Sequence, residues 1–382
     1  MAASLVLLFA STALHLPRPP ALARASPSPL YDRRHLLLAA AVTSTLPPLA
    51  AVAGEPLLFT PPPDSLSSAT ILITGANTGL GLESAKRLAA GGARVVVTAR
   101  SREKAERAAR EVAASAPRGA AVVGIPLDLA SLQSVEGFPS RLEAALGAGA
   151  AVDVLLNNAG VMAIPERLET SDGFERTVGV NHLGHYALVA ALLPALRRAP
   201  SGFRVIHVSS EAHRLASADA LRAALRADLD PPYAPWGNYA LSKAANVLFT
   251  LELRRRIEAA GLAGSAVALH PGLVGTDLSR YIVGGVGAAD VRLSETTPPP
   301  TGLGKAFKEN LLDKVVLPVS RGANTQVYLA AAADTGGDRK SSGGLYFDDM
   351  KPSKPSAAAM NAELASQLWE VSEKLTGAKI AL

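Results

Sequence analysis

The stretch Thr70-Ile71-Leu72-Ile73-Thr74-Gly75-Ala76-Asn77-Thr78-Gly79-Leu80-Gly81 decides how the rest of the chain reads. A short apolar run, Ile71 to Ile73, ends in a turn with glycines at 75, 79 and 81, and a helical period follows from Leu80 to Ala90. Gly75 and Gly79 permit a turn that a Cβ would block, and Gly81 lets the helix approach the strand. Such a turn leaves unpaired N–H groups at the positive end of the helix, a seat for a pyrophosphate. Without a ligand the same pattern is an ordinary strand-to-helix turn, so its context has to decide.

Outward from this turn, apolar runs alternate with helical periods. Strands are predicted at Arg94 to Ala99, Ala121 to Leu127, Val152 to Leu156, Arg204 to Val208 and Ser265 to Leu269. Helices are predicted at Ser101 to Ser115, Leu132 to Leu146, Phe174 to Leu196 and Tyr239 to Ala259. Alternation of this kind, with strands apolar on both faces, predicts an α/β fold: a doubly wound parallel sheet of Rossmann type. It forms a single domain over residues 69–350. Residues 279–318 are irregular, contain Pro298-Pro299-Pro300, and read as a lid-like insertion; residues 351–382 read as a C-terminal helical extension.

The first 54 residues have another character. They contain no Lys and a single acid, Asp32, and are rich in Ala, Leu, Pro and Ser, which reads as a targeting presequence. Arg33-Arg34 precedes a second apolar run, His35 to Ala53, that ends in Ala51-Val52-Ala53, a possible twin-arginine segment. The address expected is the plastid (chloroplast), with delivery to the thylakoid as one route and a secretory or membrane route as the alternative. Pro47-Pro48 interrupts the second run and argues against a spanning helix. Residues 55–68, with Pro61-Pro62-Pro63-Asp64-Ser65, read as a stiff linker.

Of the formal net charge of +5, three units lie in the presequence. The small remainder argues against nucleic acid as a partner. With no cysteine, disulfides, thiolate nucleophiles and zinc–thiolate sites are excluded. His182, His185, His207 and His213 match no metal-ligand spacing, so structural or pocket-lining roles and no metal are expected.

The tip of the second strand, Thr98-Ala99-Arg100-Ser101-Arg102, is basic and carries a hydroxyl. An acid there would accept the ribose hydroxyls of NAD; Arg100 suits the 2′-phosphate of NADP, which a guanidinium binds through a planar fork. Asp128 follows the third strand, where it can accept a bond from an adenine amine. Asn157-Asn158-Ala159-Gly160 ends the fourth strand, and its small residues let backbone approach a flat ring.

Tyr239 and Lys243 lie four apart at a helix start, on one face. A phenol titrates near 10 unperturbed, and a nearby ammonium lowers that value toward acid–base use. Ser209-Ser210 closes the fifth strand, where a hydroxyl points into a ligand crevice. Asn181 is a polar residue inside a helix, placed to fix a water or a backbone carbonyl.

Taken in order, Thr74 to Gly81, Asp128, Asn157 to Gly160, Asn181, Ser210, Tyr239, Lys243 and Pro271-Gly272 resemble the short-chain dehydrogenase/reductase family over residues 70–350. Within it, Asn181-His-Leu-Gly-His-Tyr, Ser209-Ser-Glu-Ala-His and Leu241-Ser-Lys-Ala-Ala-Asn-Val-Leu-Phe look like the retinol dehydrogenase group and its plastid relatives. The resemblance implies NADP(H) held by Gly75, Asn77, Thr78, Gly79, Leu80, Gly81, Arg100, Asp128, Asn158, Ala159, Gly160, Tyr239, Lys243, Pro271, Gly272, Val274 and Thr276. Val274 and Thr276 would contact the nicotinamide carboxamide. It implies that Ser210 polarises a substrate oxygen, Tyr239 exchanges the proton, Lys243 holds the ribose and lowers the Tyr pKa, and Asn181 supports a relay water. The expected partner is a lipophilic small-molecule substrate; peripheral membrane contact and homo-oligomerisation stay open. The insert between Ser210 and Tyr239 is longer than in minimal family members. Rival functions are a C=C reductase like protochlorophyllide reductase, disfavoured by the absent cysteines, and a non-enzymatic NADP(H) sensor on a membrane complex.

Overall fold

The structure, a computed structural model, describes residues 58–117, 119–274, 317–331 and 344–382. The presequence, Thr276 and the lid up to residue 316 lie outside the described residues. Described in chain order are β1 (Thr70–Ile73), α1 (Gly79–Ala90), β2 (Arg94–Ala99), α2 (Arg102–Ser115), β3 (Val122–Pro126), α3 (Leu132–Glu136) and α4 (Phe138–Leu146). Then come β4 (Val154–Asn157), α5 (Gly184–Arg197), β5 (Phe203–Val208), α6 (Ala218–Arg226), α7 (Pro235–Ala259) and β6 (Gly264–His270). The last are α8 (Asn324–Ala331), β7 (Tyr346–Asp348), β8 (Lys351–Ser353) and α9 (Ala362–Thr376).

The sheet has the order β3-β2-β1-β4-β5-β6-β7-β8, parallel throughout except for the final β7–β8 pair. The strand order reverses between β1 and β4, which opens a crevice at the carboxyl ends of these strands. Each inner strand is buried on both faces. Leu72, Val96, Leu155, Val205 and Ala266 enter the core under α3–α7 and α9. Their neighbours Ile71, Ile73, Val95, Val97, Val154, Leu156, Ile206 and Val267 enter the core under α1, α2 and α8. Alternate side chains of a strand point to opposite faces, so a continuous apolar run is what a sheet with helices on both sides requires.

Four sequence expectations are revised. The helix expected from Leu132 to Leu146 breaks at Gly137, because Pro139 has no N–H for the bond to residue 135 and crowds that carbonyl. The helical region from Phe174 is a short turn, Arg176–Val178, then a π-helical turn, Gly179–Leu183, then α5. Helix α7 begins at Pro235, not Tyr239, since proline is well placed at a helix's first position; Asn238 Oδ1 accepts from the Ala234 N–H at 3.0 Å to close that end. Tyr239 therefore sits one turn inside the helix. Finally, neither flank stands apart from the domain. Leu66 is fully buried and its N–H donates to Gly91 O, Phe59 packs edge-on against Tyr328, and β8 pairs with β7.

Helix α9 completes the core. Trp369 packs edge-on against Tyr186 at 5.5 Å and beside Phe249 at 5.8 Å, with the Arg256 guanidinium 4.2 Å over its ring. Removing so large a buried ring leaves a cavity. Trp369→Ala should cost about 3–5 kcal/mol of stability, read as a lower urea midpoint with an unchanged slope.

Candidate active site

The turn after β1 is held from three sides. Gly75 has φ +62°, and a Cβ on it would meet Ala159 Cβ at 2.9 Å. Its N–H donates to Thr98 Oγ1 at 3.3 Å, and Thr98 O accepts from the Ala76 N–H at 2.9 Å, so the tip of β2 fixes the turn. A Cβ on Gly81 would lie 2.5 Å from Asn158 Nδ2, which is how closely α1 approaches β4.

Thr74, at the carboxyl end of β1, connects the turn to the rest of the site. Its hydroxyl accepts from the N–H groups of Asn158 (2.9 Å) and Ala159 (3.0 Å) and lies 2.9 Å from His185 Nε2. His185 Nδ1 donates to Asn181 O at 3.0 Å, so its Nε2 is the acceptor of the Thr74 proton. The Asn158 side chain donates to Thr74 O at 2.9 Å. A non-helical strand end, a turn and the π-helical segment are thus joined through one hydroxyl and one imidazole. Neither Thr74 nor His185 stood out among the sequence-predicted site residues. A threonine directly before the glycine turn was the one available signal.

Asn181, in the π-helical turn, clamps the end of β4. Its Oδ1 accepts from the Val161 N–H at 2.8 Å, and its Nδ2 donates to Val161 O at 2.9 Å and to Ser242 Oγ at 3.0 Å. Of the two tasks expected for Asn181, its side chain performs the binding of backbone. Gly160 lies between Asn181 and Lys243; a Cβ there would stand 3.2 Å from Asn181 Oδ1 and 3.5 Å from Lys243 Nζ.

Tyr239 and Lys243 are buried on α7, with Lys243 Nζ 5.7 Å from the Tyr239 ring centre. Lys243 Nζ donates to Val208 O, the last residue of β5, at 2.9 Å. Burial pushes the Tyr239 phenol up to about 12, partly opposed by its hydrogen bond with Ser210. Burial also pulls the Lys243 ammonium down to about 8. The expected lowering of the phenol by Lys243 is therefore not what this arrangement produces: desolvation, which disfavours both charged forms, prevails. The two serines differ in their surroundings. Ser209 Oγ is buried and donates to Lys243 O at 2.8 Å, whereas Ser210 Oγ is partly exposed and accepts from the Ala212 N–H at 3.2 Å.

The other expected residues lie around the crevice. Arg100 is exposed at the tip of β2 without a partner among the described residues, and no acid occupies that tip. Ser101 is taken up as the cap of α2, accepting from the Lys104 N–H at 3.3 Å. Asp128 Oδ1 accepts from the Ala130 N–H at 3.0 Å. Asn77, Thr78, Gly79 and Leu80 form the turn and start of α1. Pro271, Gly272 and Val274 follow β6, and Val274 pairs with Leu317; Thr276 is outside the described residues. Val274 reaches the glycine turn indirectly: a Cβ on Gly322 would meet Val274 Cγ2 at 2.5 Å and Leu80 Cδ2 at 3.0 Å.

The four histidines are buried and each has a hydrogen-bond partner. His182 Nε2 lies 2.7 Å from Ser372 Oγ, His207 Nδ1 lies 3.0 Å from Thr250 Oγ1, and His213 Nδ1 donates to Ser210 O at 2.7 Å. Burial lowers His182 to about 3, His185 to about 4 and His207 well below the ordinary value.

Residues 69–220 match the sequence profile of the short chain dehydrogenase family. Retinol dehydrogenase 13 of Homo sapiens is 36% identical over 319 residues, spanning 81% of this chain and 84% of that protein. Polyprenol dehydrogenase of Mus musculus is 36% identical, spanning 80% and 83%. The crystal structure of an uncharacterized protein from Mycobacterium paratuberculosis has a TM-score of 0.56 and 33% identity, over 83% of this chain and 97% of that one. This chain belongs to the short-chain dehydrogenase family, and its relatives include the retinol dehydrogenases. It is an oxidoreductase of that family.

The histidines generate a pH dependence with a definite sign. In the unfolded chain an imidazole takes up its proton near pH 6.5, whereas His182 and His185 in the fold resist it until far lower. The unfolded state then binds more protons, so stability is lost as pH falls below about 6.5. The urea midpoint should drop steadily from about pH 6.5 to 5, a range above the ordinary titration of carboxylates. A flat midpoint across it would contradict the burial of neutral imidazoles.

Proposed function

We propose that this protein is an NADP(H)-dependent oxidoreductase acting on the carbonyl/alcohol pair of a lipophilic small molecule. The observation that carries the proposal is a convergence. Asn181 from the π-helical turn, Ser210 after β5, and Tyr239 and Lys243 from α7 meet at the carboxyl edge of the parallel sheet, beside the glycine turn after β1.

The residues present fit a nicotinamide dinucleotide. The turn has the close glycine contacts that let backbone approach a pyrophosphate, and the first N–H groups of α1 supply donors. Arg100, unpaired among the described residues at the tip of β2, favours the 2′-phosphate of NADP over the free ribose of NAD. Asp128, Asn158, Ala159 and Gly160 line the way from that tip toward Lys243. When bound, the nicotinamide supplies or accepts the hydride.

The chain's own residues handle the oxygen and the proton. The Ser210 hydroxyl, at the end of β5, holds the substrate oxygen by hydrogen bonding. The Tyr239 phenol, held protonated by burial, gives its proton to that oxygen in reduction and takes it back in oxidation. Lys243, fixed by Val208 O, stands beside the phenol to receive the ribose hydroxyls. Asn181 sets the height of the β4 end, and with it the floor of the pocket.

A lipophilic substrate is supported by the crevice rim. Leu215, after β5, Leu273, after β6, and Trp236, at the start of α7 with its ring centre 6.1 Å from that of Tyr239, are exposed large apolar residues. The names of the relatives, retinol and polyprenol dehydrogenase, point to apolar alcohols of the same kind. For residues 1–54 we propose a plastid address, tested by fusing them to a fluorescent protein in leaf cells; cytosolic fluorescence would contradict it.

The full chain should oxidise NADPH with a panel of lipophilic aldehydes and ketones, retinal among them. Tyr239→Phe should lower kcat at least about a hundredfold while NADPH still binds, read by its fluorescence. Arg100→Asp should raise KM for NADPH about ten- to a hundredfold and leave KM for NADH within about threefold. Full turnover in Tyr239→Phe would sink the mechanism, and unchanged NADPH affinity in Arg100→Asp would sink the cofactor preference.

A further inference from the structure

The last residue of β6, His270, sits between the two segments that close the site. It is buried, its ring stacked on Tyr346 at 5.9 Å with planes 22° apart. Its Nδ1 accepts from the Gly272 N–H at 3.2 Å. A nitrogen that accepts carries no proton, so in the neutral ring Nε2 bears the hydrogen. That hydrogen is directed at two carboxylates: Glu211 Oε1 at 3.2 Å and Asp348 Oδ1 at 3.1 Å. Asp348 stands opposite His270 in the β6–β7 register and is held below the ordinary carboxylate range, first of all by this hydrogen bond. Glu211 follows Ser210 directly, and its other oxygen binds Arg214 at 2.6 Å.

The consequences run in two directions. Through Nδ1 the ring holds Gly272, whose φ of +79° turns the chain so that Val274 reaches Gly322, against which Leu80 of α1 also packs. Through Nε2 the ring holds the turn that starts at Ser210. We propose that His270 is a positioning residue that sets the Pro271–Val274 segment and the Ser210 turn in one register, so that the cofactor-binding and substrate-binding sides of the site form together. This rests on the function proposed above.

Two substitutions separate the two bonds. His270→Gln keeps a donor near Nε2 and removes the acceptor for Gly272. His270→Asn keeps an acceptor near Nδ1 and cannot reach the carboxylates. With the full chain, NADPH and the best aldehyde of the panel, His270→Gln should raise KM for NADPH about tenfold with kcat within about twofold. His270→Asn should restore that KM to within about threefold of the parent. Asp348→Ala, on the half-exposed partner, should raise it by about threefold and serves where His270→Gln gives little folded protein. Binding of NADPH by the parent that is equally strong in His270→Gln, or weakened to the same degree in His270→Gln and His270→Asn with equal losses of melting temperature, would reduce His270 to packing and overturn the inference alone. Absence of NADPH binding and turnover in the parent would overturn the proposed function and this inference with it.

Discussion

Three groups converge on the hydroxyl of Thr74: the N–H groups of Asn158 and Ala159 and the unprotonated nitrogen of His185. Two of these are backbone donors just past the end of a buried strand; the Asn158 N–H also reaches Leu156 O at 3.0 Å, whereas the Ala159 N–H has Thr74 as its acceptor. A hydroxyl is the smallest side-chain group that can accept two bonds and donate a third. Because Thr74 does so, β1 and β4 end level with one another, the glycine turn lies against the end of β4, and the π-helical turn bearing Asn181 is tied to both. The positions of Asn181, Gly160 and Lys243 follow from that junction.

The same junction fixes the electrostatic character of the site. Thr74, Asn157 and His207 lie side by side across β1, β4 and β5, on the face covered by α5 and α7. His182 and His185 approach them from above, and none of these imidazoles carries charge near neutrality. In so desolvated a layer each ionisable group is driven toward its neutral form, which is why Tyr239 rises while Lys243 falls. A neutral phenol is the form that can give up a proton to a carbonyl oxygen.

The parallel sheet was legible because its evidence is local and repeated. Apolar runs such as Val95-Val96-Val97 and Leu155-Leu156 admit few readings once helical periods separate them, and the glycine turn supplied the direction of the first crossover. Helix boundaries were less legible. The helix read as starting at Tyr239 starts at Pro235, where a proline at the first position costs no hydrogen bond. Gly137 and Gly179 did not announce the break in one helix and the π turn in another; the first follows from the bond that Pro139 cannot make. Arg100 and Ser101 show the same division: both were candidates for one phosphate, and the serine is consumed in capping α2.

The sequence by itself determined the alternation of strands and helices, the glycine turn, and the presence of a Ser, Tyr, Lys and Asn set in a recognisable order. These depend on short-range periodicity and on residue types that few local conformations tolerate. Only the tertiary structure decided that Ser209 is consumed by Lys243 O, that burial raises the Tyr239 phenol, and that Thr74, His185 and His270 hold the site's edges together. Hydrogen bonds such as Thr74–His185 and His270–Asp348 join residues far apart in the chain, and desolvation depends on everything packed around a group. Neither quantity has a local signature, so folding had to bring the partners together before their roles could be read.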